Sequence, residues 1–112
     1  MTPLFFTDTQ IEAIARALGD TTEGLTGSEI AFLLAASHIK DTDPTATKRI
    51  RLYNAFAADQ NIRQNRIHIL AFIRKSMKPG RYLADQFRFE SIRLNLNQAL
   101  LFAGLAVDQT GL

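Results

Sequence analysis

Two histidines, His38 and His68, are the only imidazoles in the chain, and there is no cysteine. Arg63 precedes His68 by five positions, in the run Arg63-Gln64-Asn65-Arg66-Ile67-His68. Residues of these types, brought to an RNA backbone, have a defined chemistry. The guanidinium offsets phosphate charge and the imidazole handles the 2′-OH. The spacing carries little information by itself. With nine arginines and two histidines in the chain and three permitted spacings, chance supplies such a match about half the time. His38 falls at the end of a predicted helix, where a protonated imidazole suits the helix dipole. No carboxylate or second histidine stands at ligand spacing from it. There is no HExxH, no Gly-rich phosphate loop and no GxSxG. Asp41 and Asp43 lack the glycine and the later ligands of a calcium loop. The sequence therefore predicts no metal, no cofactor and no catalytic residue.

The charge pattern is more informative. Residues 1–47 hold seven acids and two bases, whereas residues 48–93 hold eleven bases and three acids, within a net charge of only +2. Lys48, Arg49, Arg51, Arg63, Arg66, Arg74 and Lys78 are the candidate nucleic-acid-binding residues. Lys48 and Arg51 share one helix face, as do Arg74 and Lys78. Gathered into one patch, they would hold an RNA or DNA phosphate backbone through counterion release. The competing expectation is that these bases pair with Glu12, Asp20, Glu23 and Glu29, because a charge run is usually a solvated face.

The elements that must position these residues are helical. The chain has 112 residues, 46% hydrophobic and 21% charged, a globular composition for one domain, 1–112. No segment alternates with period two, and apolar residues recur at helical spacing. The expected fold is all-α, a compact bundle of about five helices near 8–18, 27–38, 44–59, 64–77 and 85–103. Thr7 with Gln10, and Thr26 with Glu29, read as capping boxes. One of Leu4, Phe5 and Phe6 should staple back onto the first turn. Gly19 is placed as a left-handed helix terminator. Asp43-Pro44 reads as the cap and first residue of helix three, with Ile50, Tyr53 and Ala57 on its inner face. Residues 60–66 read as a loop or frayed end. Lys78-Pro79-Gly80 stops helix four, and Tyr82 and Leu83 should follow into the core. The last helix should turn Phe89, Ile92, Leu96, Ala99, Leu100 and Phe102 inward, with Gly104 as its cap. Phe32, Ile67 and Leu94 fall off the main apolar stripes. They are expected inside a wide buried arc, or else together in a partner-binding patch. No apolar run reaches membrane-spanning length. The absence of cysteine suits a reducing, cytoplasmic setting.

Residues 25–56, beginning Leu25-Thr26-Gly27-Ser28-Glu29-Ile30, resemble the N-terminal helical domain of bacterial abortive-infection proteins of the AbiJ type. They are also similar to the N-terminal part of the Ymh family of prophage-associated proteins. Gly19-Asp20-Thr21-Thr22-Glu23-Gly24, Met77-Lys78-Pro79-Gly80-Arg81-Tyr82, and the segment from Leu94 through Leu105 extend the likeness over about residues 7–105. The resemblance implies a sensing or regulatory module in antiviral defence, followed by a C-terminal effector domain of HEPN-like or Ymh type. The chain stops about where that effector would begin. The expected function is thus a non-catalytic regulatory domain binding nucleic acid, a protein partner or the effector domain. One alternative is a HEPN-like ribonuclease using Arg63 and His68. Another is a helix-turn-helix DNA-binding regulator built on helices two and three.

Overall fold

Thr7 opens the first helix as expected: its Oγ1 accepts the Gln10 N–H at 3.1 Å, and Gln10 Oε1 accepts the Thr7 N–H at 2.9 Å. Thr26 and Glu29 repeat this reciprocal arrangement at 3.1 and 2.8 Å. Each cap removes free N–H groups from a helix end and contributes about 1 kcal/mol. The structure, a computed structural model, describes residues 5–101. Its elements are α1 (Asp8–Leu18), α2 (Gly27–Ala36), α3 (Lys48–Arg63), α4 (Ile67–Ser76), a 3-10 turn (Pro79–Tyr82) and α5 (Gln86–Leu100). There is no strand among the described residues. No helix there is long and apolar enough to cross a membrane.

The architecture is the expected all-α bundle. α1 lies mainly against α3 and α5, while α2 and α4 pack on one another and on α3. Ile11, Ile14 and Leu18 of α1 join Leu52 and Phe56 of α3, Ile69 and Phe72 of α4, and Phe89, Ile92 and Leu96 of α5 in one buried core. Phe56 and Phe72 meet edge to face with ring centroids 5.0 Å apart. The Cα radius of gyration is 12.9 Å, that of a packed chain of this size.

Several boundaries differ from the sequence expectation, each for a local reason. α2 ends at Ala36 rather than 38, in a Schellman closure. His38 donates its N–H to Ala35 O at 3.2 Å and Ile39 donates to Leu34 O at 2.9 Å. His38 itself takes the left-handed position, with φ 60. Asp43-Pro44 opens a turn instead of a helix, closed by the Ala46 N–H on Asp43 O at 3.1 Å. The same dipeptide suits both uses, since proline's fixed φ fits the second position of a turn equally well. α3 begins at Lys48 after Thr47 and runs through the amide-rich stretch to Arg63. Gln64 stops it in the left-handed region at φ 59.

The inner face of α3 is Leu52, Ala55, Phe56, Asp59 and Gln60; Ile50 is exposed, and Tyr53 and Ala57 are half-buried. Two polar residues at the end of the stripe concealed its direction. Gly19 closes α1 at φ −99, which is not left-handed. Glycine is required there by proximity, because a Cβ would stand 2.9 Å from Ala15 O and 3.0 Å from the Arg49 nitrogen. Of the residues before α1, Phe6 is buried and Phe5 is exposed. Tyr82 enters the core but Leu83 is exposed. Phe32, Ile67 and Leu94 are all exposed, so the wide buried arc is not formed. Leu4, Phe102, Gly104, the end of the last helix near 103 and the tail beyond it lie outside the described residues.

Candidate functional site

The bases of the second half are drawn to internal partners. Arg51 is 8% exposed. Its Nε sits 3.1 and 3.2 Å from the Asp41 oxygens, its Nη2 donates to Asp41 Oδ2 at 2.5 Å, and its Nη1 donates to Gly27 O at 3.2 Å. The Asp41 carboxylate holds this guanidinium further on its charged side, against the opposing effect of burial. Lys48 Nζ donates to Asp20 O at 2.9 Å. The Asp20 carboxyl is held low by the N–H groups of Glu23 and Thr22. Lys75 Nζ donates to Ala36 O, and Arg93 pairs with Glu90 at 2.8 Å. The Arg66 guanidinium lies over the Phe6 ring, 4.7 Å from its centroid.

Glu29 anchors a larger clamp. Arg81 Nη2 reaches it at 3.0 Å and Arg88 bonds both of its oxygens. Arg88 also donates to Gly24 O at 3.0 Å. Partial burial works to raise the Glu29 carboxyl. The Arg88 hydrogen bond, the Thr26 N–H and the charges of both arginines outweigh it and hold the group at about 2. Tyr82 lies under both guanidiniums, at 5.5 and 5.4 Å, and donates its hydroxyl to Ser76 O at 2.9 Å. Burial pushes that phenol upward, against the two positive charges. The clamp joins α2 to α5 and the 3-10 turn.

Of the seven proposed phosphate contacts, Lys48, Arg51, Arg63 and Arg66 thus meet protein groups. Arg49, Arg74 and Lys78 are exposed, with no ion pair or hydrogen bond among the described residues. α2 and α3 are joined by residues 37–47, far longer than the 3–4-residue turn of a helix-turn-helix pair.

The fold does bring Arg63 and His68 together, and the residue that does so is Asp59. Its side chain is 6% exposed and accepts from Arg63 Nε at 3.1 Å. His68 Nδ1 stands 3.5 Å from the same oxygen, an ion-pair distance rather than a good hydrogen bond. Arg63 Nη2 reaches His38 O at 3.5 Å. The His38 ring centroid is 6.2 Å from that of His68. Asp59 Oδ2 and His68 Nδ1 are buried with no hydrogen-bond partner among the described residues.

Beside this cluster is a cleft of about 130 Å³. Ala55 and Asp59 form its buried floor; His38, Lys40, Ile62 and Arg63 are its exposed rim. Comparison with protein-family models, with curated proteins and with solved structures gave no match. Among the described residues no three His, Asp or Glu side chains are grouped to hold a metal ion. The cleft has Asp59 at its floor and the cationic side chains of Lys40 and Arg63 at its rim.

Asp59 was not singled out from the sequence, and Asp41 was weighed only as a calcium-loop residue. Asp59 stands four before Arg63, on a stripe otherwise filled by Leu52, Ala55 and Phe56. A carboxylate at a core position beside an i,i+4 arginine is the signal that was present.

Proposed function

We propose that this chain is a non-catalytic interaction module, the sensing or regulatory helical domain of a bacterial abortive-infection protein acting in the cytoplasm. It docks a protein partner through the outer face of α5. The observation that carries this reading is the spacing of Phe87, Leu94 and Leu101, which are 74%, 57% and 68% exposed. They recur every seven residues, so they lie along one side of the helix. Phe89, Ile92, Leu96 and Leu100 occupy the opposite side and are buried. Ser91 and Gln98 lie on the same side, and Glu90, paired with Arg93, stands at its edge. A helix apolar on two opposite sides is normally covered on both. The likeness of residues 25–56 to AbiJ-type and Ymh-type domains supplies the biological setting, with the C-terminal effector as the partner it implies. Phosphate-backbone binding has less support, because so many of the bases are already engaged.

The test is a plaque assay in cells carrying the gene, its Leu94→Arg variant or an empty vector. The wild type is expected to reduce plating and the variant to lose that effect while keeping its melting temperature. Equal protection by the variant would remove α5 as the working surface. RNA cleavage by the purified chain, lost in His68→Ala, would replace this reading with the ribonuclease alternative.

A further inference from the structure

The geometry points to the cleft over Asp59 as a nucleotide-binding site, taking the base between its walls and the phosphate on its rim. This goes beyond partner docking and does not depend on it. Three observations select the ligand. First, Asp59 is almost wholly buried, lines the cleft, and has one carboxylate oxygen already satisfied by Arg63, while Oδ2 has no hydrogen-bond partner among the described residues. A buried acceptor left open is costly unless something donates to it. Because Arg63 already offsets the charge, a neutral N–H donor such as a base amino or imide group suits it better than an ammonium.

Second, Ala55, Ala58 and Ile62 line the cleft beside the exposed His38 ring. A flat apolar body belongs between such walls, and imidazole is one of the rings on which unpaired bases stack. The volume of about 130 Å³ corresponds to about four waters at about 30 Å³ each. It has room for a ring system and not for a whole nucleotide, so the phosphate must lie outside. Third, the rim there is cationic. Lys40 is exposed with no ion pair or hydrogen bond among the described residues, and Arg63 is 45% exposed with only its Nε spent on Asp59 and one Nη2 contact to His38 O. An aliphatic amino acid would satisfy the two charged ends but has no flat body for the walls.

The strained backbone of His38 accords with this placement. It occupies the left-handed position usually given to glycine, at φ 60. The Schellman closure alone needs no imidazole there, whereas a stacking ring does.

The experiment titrates the full chain with GMP, AMP, CMP, a short single-stranded RNA and inorganic phosphate, followed by amide chemical shifts. A mononucleotide is expected to shift the amides of Ala55, Ala58, Ile62 and His38. Lys40→Glu should weaken binding about tenfold, and Arg16→Glu, the same charge change on the exposed face of α1, should not. Asp59→Asn should change the order of preference among the bases. Lys40 makes no contacts the fold requires, so its variant reports even if Asp59→Asn does not fold. Tighter binding of the RNA than of any mononucleotide identifies a strand as the source of the base; equal binding identifies the free nucleotide. No shift with any nucleotide up to about 10 mM, or the same shifts at the same affinity with phosphate alone, overturns the proposal.

Discussion

Gln60 and Phe6 are bonded twice across 54 positions of sequence: Gln60 Oε1 accepts the Phe6 N–H at 2.9 Å, and Gln60 Nε2 donates to Phe6 O at 2.9 Å. The amide side chain thereby serves as a peptide partner for a backbone unit with no strand or helix of its own. Both residues are buried. Replacing Gln60 by Leu keeps the volume but leaves a buried N–H and a buried C=O unpaired. The expected loss is about 2–3 kcal/mol, read as a lower urea midpoint at unchanged slope.

Acid should weaken the Glu29 clamp in a defined window. The folded carboxyl is held at about 2 against an ordinary 4.5, so the unfolded chain takes up the proton first as pH falls. The stability from this group is complete above 4.5 and is lost progressively as pH drops toward 2. After screening by the adjacent solvent it amounts to about 2 kcal/mol. Unfolding free energies measured across that range should show the slope in the wild type and a flatter profile in Glu29→Gln.

His38→Gly relieves the left-handed backbone and preserves the Schellman closure. The variant should gain about 0.5–1 kcal/mol of stability, seen as a higher melting temperature. The same variant should lose the stacking part of nucleotide affinity. A rise in stability paired with a fall in binding would show that the strain serves a purpose other than folding.

The outer stripe of α5 is expected to be silent in stability. Phe87 and Leu94 are mostly exposed, so Phe87→Ser and Leu94→Arg should each change the unfolding free energy by less than about 0.5 kcal/mol. Arg51→Ala is the contrasting case. It strands Asp41 and removes a donor from Gly27 O, and should cost about 2–3 kcal/mol. That loss also disqualifies Arg51 variants as probes of nucleic-acid binding.

The local grammar of the chain was readable because its causes are local. Thr7 with Gln10 and Thr26 with Glu29 cap where their spacing says they should, and helical periodicity identified Phe89, Ile92, Leu96 and Leu100 as the inner residues of α5. The start of α3 was misread because Asp43-Pro44 is compatible with a turn and a helix alike. The ends of α2 and α3 were hidden because His38 and Gln64 take conformations normally flagged by glycine. The site was half legible. Arg63 and His68 stood out by spacing, but what unites them is Asp59 inside the core. His38 arrives from the end of α2, and nothing in a linear spacing reports that approach. The pairing of Glu29 with Arg81 and Arg88 was foreseeable only as a general expectation that acids of the first half meet bases of the second.

The Glu29 clamp also sets a timetable for synthesis. Arg88 follows Glu29 by 59 residues, so at about 5–20 residues per second the ribosome needs roughly 3–12 s to deliver the partner. During that interval α2 can close its own capping box, yet its carboxylate lacks the two guanidiniums that do most to hold it ionised. The first four helices can gather while the chain is still attached, but the clamp on Glu29 is complete only when Arg88 of the last helix has emerged.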